Sequence, residues 1–441
     1  MNETFFFYDL ETSGLNPRED RIMQFAGQRT DSDLNPLGDP VNILVKITND
    51  ALPSPGAINV TKITPQDTLR DGITEAEFCR FVTEEVFTPN TIILGYNTVR
   101  FDDEFIRAIL WRNFYDPYEW QWRDGRSRWD LLDVVRLTRA LRPEGIEWPF
   151  REDGAPTNRL ELITKLNGVK HEHAHDALSD VYATIAVAKL IKSHQPDLFS
   201  YLLKLRNKNA VKNLVNLASP KPFVYASGRF SNEFNKTTVA YPLAPAKNGN
   251  LLVLDLRFDP TTIDPENAFP KVKEFCFNKC PAVAPLGVLE KNDGWSKIGL
   301  TSEAIKHNLS ILKSHPEFAE KMRTLHENRS DFPPASEPEA ALYDGFLNDP
   351  DRIKVSAVRN ADISRLADFH PDFTDERLPE LLLHYKGHNY PSTLSEKEAA
   401  AYESYRQNRL AKKAPEFIKE LDLVKDPFLK EELLLYLQSL Q

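Results

Sequence analysis

Cysteine is scarce in this sequence, long apolar runs are missing, and basic charge is not in excess. Three cysteines in 441 residues cannot build a disulfide framework, which favours a reducing compartment such as the cytoplasm. No stretch approaches the roughly 18 uninterrupted apolar residues of a membrane span. The opening MNETFFFYDL has no basic leader before its short apolar run, so a signal peptide is not expected. We therefore expect a cytoplasmic protein without a membrane partner.

The net charge of −10 argues at first against a polyanionic partner. Binding, however, responds to the local potential within a Debye length of about 8–10 Å rather than to net charge alone. Residues 198–232 contain no acid and six basic side chains: Lys204, Arg206, Lys208, Lys212, Lys221 and Arg229. This acid-free run predicts a basic track on an acidic protein.

The sequence pattern divides the chain into three regions. Residues 1–195 alternate short apolar strands with amphipathic helices, the pattern of an α/β layer fold. After a helix predicted over 195–217, short β-like runs with Pro, Gly and Asn between them indicate a small barrel or sandwich. Beyond the linker-like DFPPASEPE the sequence predicts helices, among them separate ones over 396–410 and 415–423. The predicted domains are residues 1–195, 196–334 and 335–441.

Two carboxylates, Asp9 and Glu11, come directly after the apolar run over residues 5–8. Side chains alternate faces along a strand, so positions i and i+2 project together. Neighbouring carboxylates repel each other and are costly to bury unless a cation lies between them, and hard divalent ions prefer such oxygen ligands. The alternative is an exposed strand end with ordinary solvated acids.

Two further segments place acids at the start of predicted helices. Asp102 follows a hydrophobic strand and a turn, although capping and the helix dipole favour Asp at such a position whatever the function. In the segment HDALSD, Asp176 can cap a helix, which leaves His175 on the preceding loop and Asp180 in the first turn. A loop histidine above a carboxylate suits a general base, but a surface histidine beside a capping acid is the alternative.

Taken together, these acids and His175 resemble the DEDD superfamily of 3′→5′ exonucleases in its His-bearing branch. Segments such as ILGYNTVRFDDE, SRWDLLDVVR and AHDALSDVYATIA are similar to the bacterial exonuclease I family, and this similarity favours Asp102 over Asp103. The resemblance implies an α/β, ribonuclease H-like exonuclease domain with a mixed sheet and flanking helices. An SH3-like β-barrel domain and an all-α C-terminal domain would follow it.

The same resemblance implies processive 3′→5′ hydrolysis of single-stranded DNA to 5′-mononucleotides, in DNA repair and recombination. The catalytic residues carried over are Asp9, Glu11, Asp102, His175 and Asp180. Asp9, Glu11 and Asp180 would hold two Mg²⁺ ions, with Mn²⁺ as a substitute, because two ions can bind both the attacking and the leaving oxygen. His175 would take the proton from the attacking water, a task that suits an imidazole pKa near about 6.5.

The segment from Trp111 to Trp129 interleaves aromatic side chains with arginines. Aromatic faces stack on unpaired bases, and arginines hold phosphates, so the composition favours single strands. Several of these aromatics must nevertheless belong to the core. The predicted substrate contacts are Glu11, Arg107, Tyr118, Trp122, Arg136, Arg159 and Lys208.

A second partner is expected to be single-stranded DNA-binding protein, which the exonuclease I family binds through an acidic C-terminal tail. The acid-free run and the start of the helical domain are the candidate surfaces. No predicted helix shows a sustained heptad seam, so we expect a monomer.

Two alternative functions remain at this point. One is an RNA exonuclease of the same superfamily, which would generally be shorter. The other is a non-catalytic single-strand-binding protein, which would be expected to have lost a catalytic residue.

Overall fold

The computed structural model describes residues 3–169, 176–264, 267–269, 271–329 and 333–440. Its first region is a five-stranded sheet of order β3-β2-β1-β4-β5, in which β1 pairs antiparallel with β2 and parallel with β4. The strands are β1 (Thr4–Thr12), β2 (Ile22–Thr30), β3 (Val41–Leu44), β4 (Thr91–Gly95) and β5 (Ser127–Asp130). The helices are α1 (Pro55–Thr61), α2 (Pro65–Asp71), α3 (Glu75–Phe81), α4 (Asp102–Arg112), α5 (Leu131–Leu141), α6 (Leu160–Leu166) and α7 (Ala177–His194).

Strand β1 is buried on both faces, because helices cover the sheet on each side. Phe6, Tyr8 and Leu10 point into one apolar cluster with α4, whereas Phe5 and Phe7 point into another with α5 and α7. Since β1, β4 and β5 run parallel, their carboxyl ends lie at one edge of the sheet. Ligand sites of α/β sheets form at such an edge.

A second sheet follows, with order β10-β6-β7-β8-β9 and all pairs antiparallel. Its strands are β6 (Phe223–Ala226), β7 (Thr237–Pro245), β8 (Leu251–Asp255), β9 (Val272–Phe275) and β10 (Ala282–Pro285). The helix predicted over 195–217 is instead two helices, because Asn207 caps a new one through its side chain. The helices here are α8 (Pro196–Lys204), α9 (Lys208–Leu214), α10 (Gly294–Lys297), α11 (Ser302–Ser314) and α12 (Glu317–Glu327).

The last region is helical, as predicted, with α13 (Asp349–Arg359), α14 (Ile363–Leu366), α15 (Arg377–Asn389), α16 (Glu396–Leu421) and α17 (Pro427–Ser439). The prediction of two helices over 396–410 and 415–423 was wrong, because α16 continues through Pro415. Among the described residues, none of the helices combines the length and apolar character that a membrane crossing requires.

A buried ionic cluster fastens the helical region to the first sheet. The Arg21 guanidinium lies 3.0 Å from Asp50 and 2.8 Å from Glu339, and the side chains of all three are almost completely buried. Arg409 of α16 contacts the same Asp50 carboxylate at 3.1 Å. Buried charges of opposite sign at this spacing fix how the two regions pack, since separating them leaves a charge unpaired.

Candidate active site

Three carboxylates meet at the edge of the first sheet. Asp9 and Glu11 project from the same face of β1, and Asp180 lies in the first turn of α7. One oxygen from each carboxylate lies within 4.8 Å of the other two. Asp176 caps α7 by accepting a hydrogen bond from the Ser179 amide at 3.0 Å, as its position in the sequence predicted.

The electrostatics of this group favour a bound cation. Burial, followed by the charges of Asp9 and Asp180, raises the pKa of Glu11 to about 9. Burial also raises the pKa of Asp9, together with the charges of Asp102 and Asp180. Among the described residues, neither Asp9 nor Glu11 forms an ion pair with a lysine or an arginine. A set of three converging carboxylate oxygens is the kind of donor set that divalent metal ions take.

Asp102 and Asp103 open α4 and have different partners. Asp102 accepts a hydrogen bond from the Leu10 amide at 3.2 Å, so its carboxylate lies against the strand that carries Asp9 and Glu11. Asp103 accepts one from the Tyr8 hydroxyl at 2.6 Å and pairs with Arg128. Asp102 is therefore the residue that faces the acidic group, although it is not one of the three carboxylates in mutual contact. His175 lies outside the described residues.

A cleft of about 440 Å³ opens over the carboxylates and is lined with cations. Asp9 and Asp180 lie in its wall, as do the predicted contacts Arg136 and Arg159. Two cations that the sequence analysis did not predict as substrate contacts, Arg151 and Lys236, also line the cleft. Burial lowers the pKa of Lys236, and so do the charges of Arg136 and Arg151, which indicates that both arginines lie near Lys236. Lys236 lies between a 3₁₀ turn at Asn232–Phe234 and the start of β7, so nothing in the local sequence linked it to the acidic motifs.

The sequence matches three family models in order: "Exonuclease" over residues 6–188, "Exonuclease I SH3-like domain" over 206–328 and "Exonuclease I C-terminal domain" over 336–440. It is 40% identical to exodeoxyribonuclease I of Escherichia coli over 438 residues, which span 95% of this chain and 91% of that protein. It is 39% identical to exodeoxyribonuclease I of Haemophilus influenzae over 94% of this chain and 92% of that protein. The chain belongs to the exonuclease I family.

Solved structures agree with this assignment. E. coli exonuclease I in complex with a dA16 oligonucleotide matches with a TM-score of 0.96 and 37% identity over 100% of both chains. A structure described as SSB/exonuclease I with an inhibitor matches with a TM-score of 0.91 and 37% identity, again over 100% of both chains. The predicted membership and fold class are confirmed: a ribonuclease H-like exonuclease domain, an SH3-like domain and a helical C-terminal domain. The protein is a DNA exonuclease whose exonuclease domain uses divalent metal ions.

The aromatic side chains between Trp111 and Trp129 divide into a buried set and an exposed set. The buried set contains several of these aromatics, as the sequence analysis expected for residues of the core: Trp111, Phe114, Trp120 and Trp129. Trp122 is 63% exposed, and Tyr118 is half-buried, with its ring between Phe346 and the Arg107 guanidinium at 5.8 Å from each. Tyr118 and Phe346 help to line a second cavity of about 250 Å³ between the nuclease and helical regions.

Two other predicted contacts lie outside the carboxylate cleft. Arg107 is buried and donates hydrogen bonds to Glu104 at 2.6 Å and to Gln121 at 2.8 Å. Its side chain thus supports the Tyr118 ring and does not line the described part of the cleft. Lys208 is exposed at the start of α9.

Proposed function

We propose that this chain removes nucleotides one at a time from the 3′ ends of single-stranded DNA, releases 5′-mononucleotides and works processively. The observation that supports this most directly is the group of three carboxylates, Asp9, Glu11 and Asp180, two of which, Asp9 and Asp180, line a cleft that four cations also line. Negative charge at the reacting centre requires metal ions there, and positive charge around it attracts a phosphate backbone.

Asp9, Glu11 and Asp180 are the residues that would hold the metal ions, which we propose to be two Mg²⁺ ions, with Mn²⁺ as a substitute. When bound, such ions activate water and stabilise charge on the attacking and leaving oxygens. Asp102 adds negative charge beside Asp9, as the effect of Asp102 on the pKa of Asp9 indicates. His175 precedes the cap of α7 and takes the proton from the attacking water.

Arg136, Arg151, Arg159 and Lys236 hold phosphates of the strand that enters the cleft, and Glu11 contacts the terminal nucleotide. Tyr118 and Trp122 stack on unpaired bases, which double-stranded DNA does not offer. Arg107 keeps the Tyr118 ring in place, and Lys208 extends the basic track toward the second sheet. Each stacked base contributes about 1–3 kcal/mol with little sequence preference, as an exonuclease of general specificity requires.

The test is nucleotide release from labelled 30-mers with a 3′ single-stranded end, a blocked 3′ end, or a blunt duplex end, each with Mg²⁺ or EDTA. We expect mononucleotides only from the free 3′ single-stranded end and only with Mg²⁺. A matched RNA strand should be degraded much more slowly. Efficient attack from a 5′ end, on blunt duplex or on RNA, or activity in EDTA, would contradict the proposal.

Single-stranded DNA in cells is coated, so an enzyme of DNA repair and recombination gains access by contacting the coating protein. The match to a structure of SSB with exonuclease I supports such a partner. We propose that its acidic tail docks on the acid-free run, where Lys212 and Lys221 are exposed and Leu217 offers an apolar contact. Titration of a labelled tail peptide should give saturable, salt-sensitive binding that the double substitution Lys212→Glu with Lys221→Glu abolishes. Unchanged binding by that variant would place the tail elsewhere.

We further propose that the protein is a cytoplasmic monomer with domain limits at 195 and 334. Cys79, Cys276 and Cys280 are free thiols, which a reducing compartment preserves. Light scattering should give the mass of one 50.5 kDa chain. Limited proteolysis should cut first within residues 333–336, which are exposed or half-buried, and not at the buried Glu339.

A further inference from the structure

Asp103 is a buried acid that the proposed reaction does not use, and two strands hold it. The Tyr8 hydroxyl of β1 donates to one carboxylate oxygen at 2.6 Å, and the Arg128 guanidinium of β5 pairs with the other. Tyr8, Asp103 and Arg128 are 1%, 2% and 7% exposed. A buried carboxylate persists only where hydrogen bonds and an opposite charge compensate it, so the three groups form one unit.

The same arginine reaches the second sheet region. Its other terminal nitrogen donates to the Asn278 carbonyl at 2.8 Å, and the Cys280 thiol donates to the Arg128 carbonyl at 3.3 Å. Both partners lie in the loop between β9 and β10. Cys280 adopts a left-handed backbone conformation with φ of 47°, so the loop turns sharply where it meets β5. Arg128 therefore joins this loop to the first turn of α4.

The position of the Asp102 side chain depends on the first turn of α4, because Asp102 is adjacent to Asp103 in that turn. Its carboxylate is set by the start of the helix and by one hydrogen bond from the Leu10 amide. Tyr8 and Arg128 approach from strands on either side of β4, so Asp103 ties the helix start to β1 and β5 at once. Loss of the Arg128 charge would leave Asp103 unpaired beside Asp102.

We propose that Arg128 is a positioning residue that acts through Asp103 on Asp102, and that docking of residues 276–280 completes the active site. The inference rests on the proposed role of Asp102 in the reaction. It assigns the SH3-like region a part in catalysis besides any contact with DNA. Asp102 lies beside the proposed metal-binding carboxylates, and outer groups of a metal site characteristically alter metal affinity or activity by about 10–100-fold when they are removed.

The test compares Arg128→Gln, Arg128→Lys and Tyr8→Phe with the control Arg112→Lys. Arg112 forms an equally buried pair with Glu75 at 2.7 Å, away from the carboxylate cleft. Mn²⁺ affinity is measured by calorimetry without DNA, and kcat and KM are measured on single-stranded DNA. We expect Arg128→Gln to lower Mn²⁺ affinity and kcat by about 10–100-fold with KM within about twofold. Arg128→Lys and Tyr8→Phe should show smaller losses of the same pattern, and the control should keep the wild-type Mn²⁺ affinity.

Because Arg128→Gln removes a buried charge, it can fail to fold; the other two variants then decide. Wild-type Mn²⁺ affinity and kcat in both Arg128→Lys and Tyr8→Phe would overturn the inference. So would an equal loss in Arg112→Lys, which would mark the effect as general destabilisation. A wild-type protein without metal-dependent nuclease activity would instead overturn the proposed function, so the two failures are distinguishable.

Discussion

The acidic group destabilises the metal-free protein, and Glu11→Gln measures by how much. Burial and the charges of Asp9 and Asp180 raise the pKa of Glu11 from 4.5 to about 9. Between those values the folded protein holds a proton that the unfolded chain releases, so stability falls as pH rises through this window. At pH 7 the interval above the unfolded pKa is about 2.5 units, which at about 1.4 kcal/mol per unit costs about 3.5 kcal/mol.

Thermal and denaturant melts in EDTA at pH 5, 7 and 8.5 should show Glu11→Gln to be more stable than the wild type at pH 7, by up to about 3.5 kcal/mol, with the difference in stability closing near pH 5. Added metal should make the wild type more stable than Glu11→Gln, because the variant has lost a ligand. An ion that binds only the folded state stabilises it by about 2.7 kcal/mol when the metal is present at a hundred times its Kd. Glu85→Gln, at an exposed position on the surface after α3, is the matched control and should match the wild type in both conditions. A metal-free Glu11→Gln protein that melts at or below the wild type at pH 7 would refute the reasoning.

The remaining predictions concern single residues. Asp9→Ala or Asp180→Ala should abolish nucleotide release while binding of single-stranded DNA survives; near-normal release by either folded variant would remove it from the metal-binding set. His175→Ala should lower turnover by about 10²–10⁴-fold with DNA affinity nearly intact, whereas a parallel loss of affinity would make it a DNA contact. Lys236→Ala should reduce the slope of log affinity against log salt by about 0.7, with Lys313→Ala on α11 as the unaffected control, and an unchanged slope would exclude a phosphate contact. Arg21→Met should cost about 3–5 kcal/mol of unfolding free energy, because it leaves Asp50 and Glu339 buried without that cation, and a loss below about 1 kcal/mol would contradict the role of the ionic cluster.

The acidic site was predictable because its residues lie beside strong local patterns. The period-two alternation of β1 places Asp9 and Glu11 on one face, and the capping role of Asp176 fixes Asp180 in the first turn of α7. Local geometry does not bring β1 to α7, however. The family resemblance supplied that step, and the contact of the three carboxylates agrees with it.

Contacts between distant segments were not predictable from local pattern. Lys236 reaches the cleft from the second sheet region, and Arg151 reaches it from a loop before α6. Arg107 was predicted as a substrate contact, and in the structure Glu104 and Gln121 accept hydrogen bonds from its guanidinium. The position of a long side chain depends on which partners the fold brings within reach, and sequence spacing along one helix does not determine them.

The ends of helices were also predictable only where a local pattern determines them. Ser395 and Glu398 form a capping box that starts α16 where the sequence indicates it, but the helix then passes through Pro415. Tertiary packing accounts for the continuation, since Leu410, Phe417 and Leu421 of α16 lie in one apolar cluster with α1 and α17. An intrinsic cost of about 3 kcal/mol for an interior proline is offset by such burial.

Among the described residues, two groups of potential metal ligands differ in their charge balance, and that difference favours one of them as the metal site. Asp50, Glu339 and His388 also place ligand atoms within 4.8 Å of one another. There, burial would raise the pKa of Asp50, but the charges of Arg21, His388 and Arg409 hold it well below its usual range. The guanidinium groups already occupy the place of a cation. At Asp9 and Glu11 burial and like charges raise both pKa values, so the negative charge is left for an ion to balance. Similar donor spacing thus serves packing between regions in one place, whereas in the other it supports the proposed metal site.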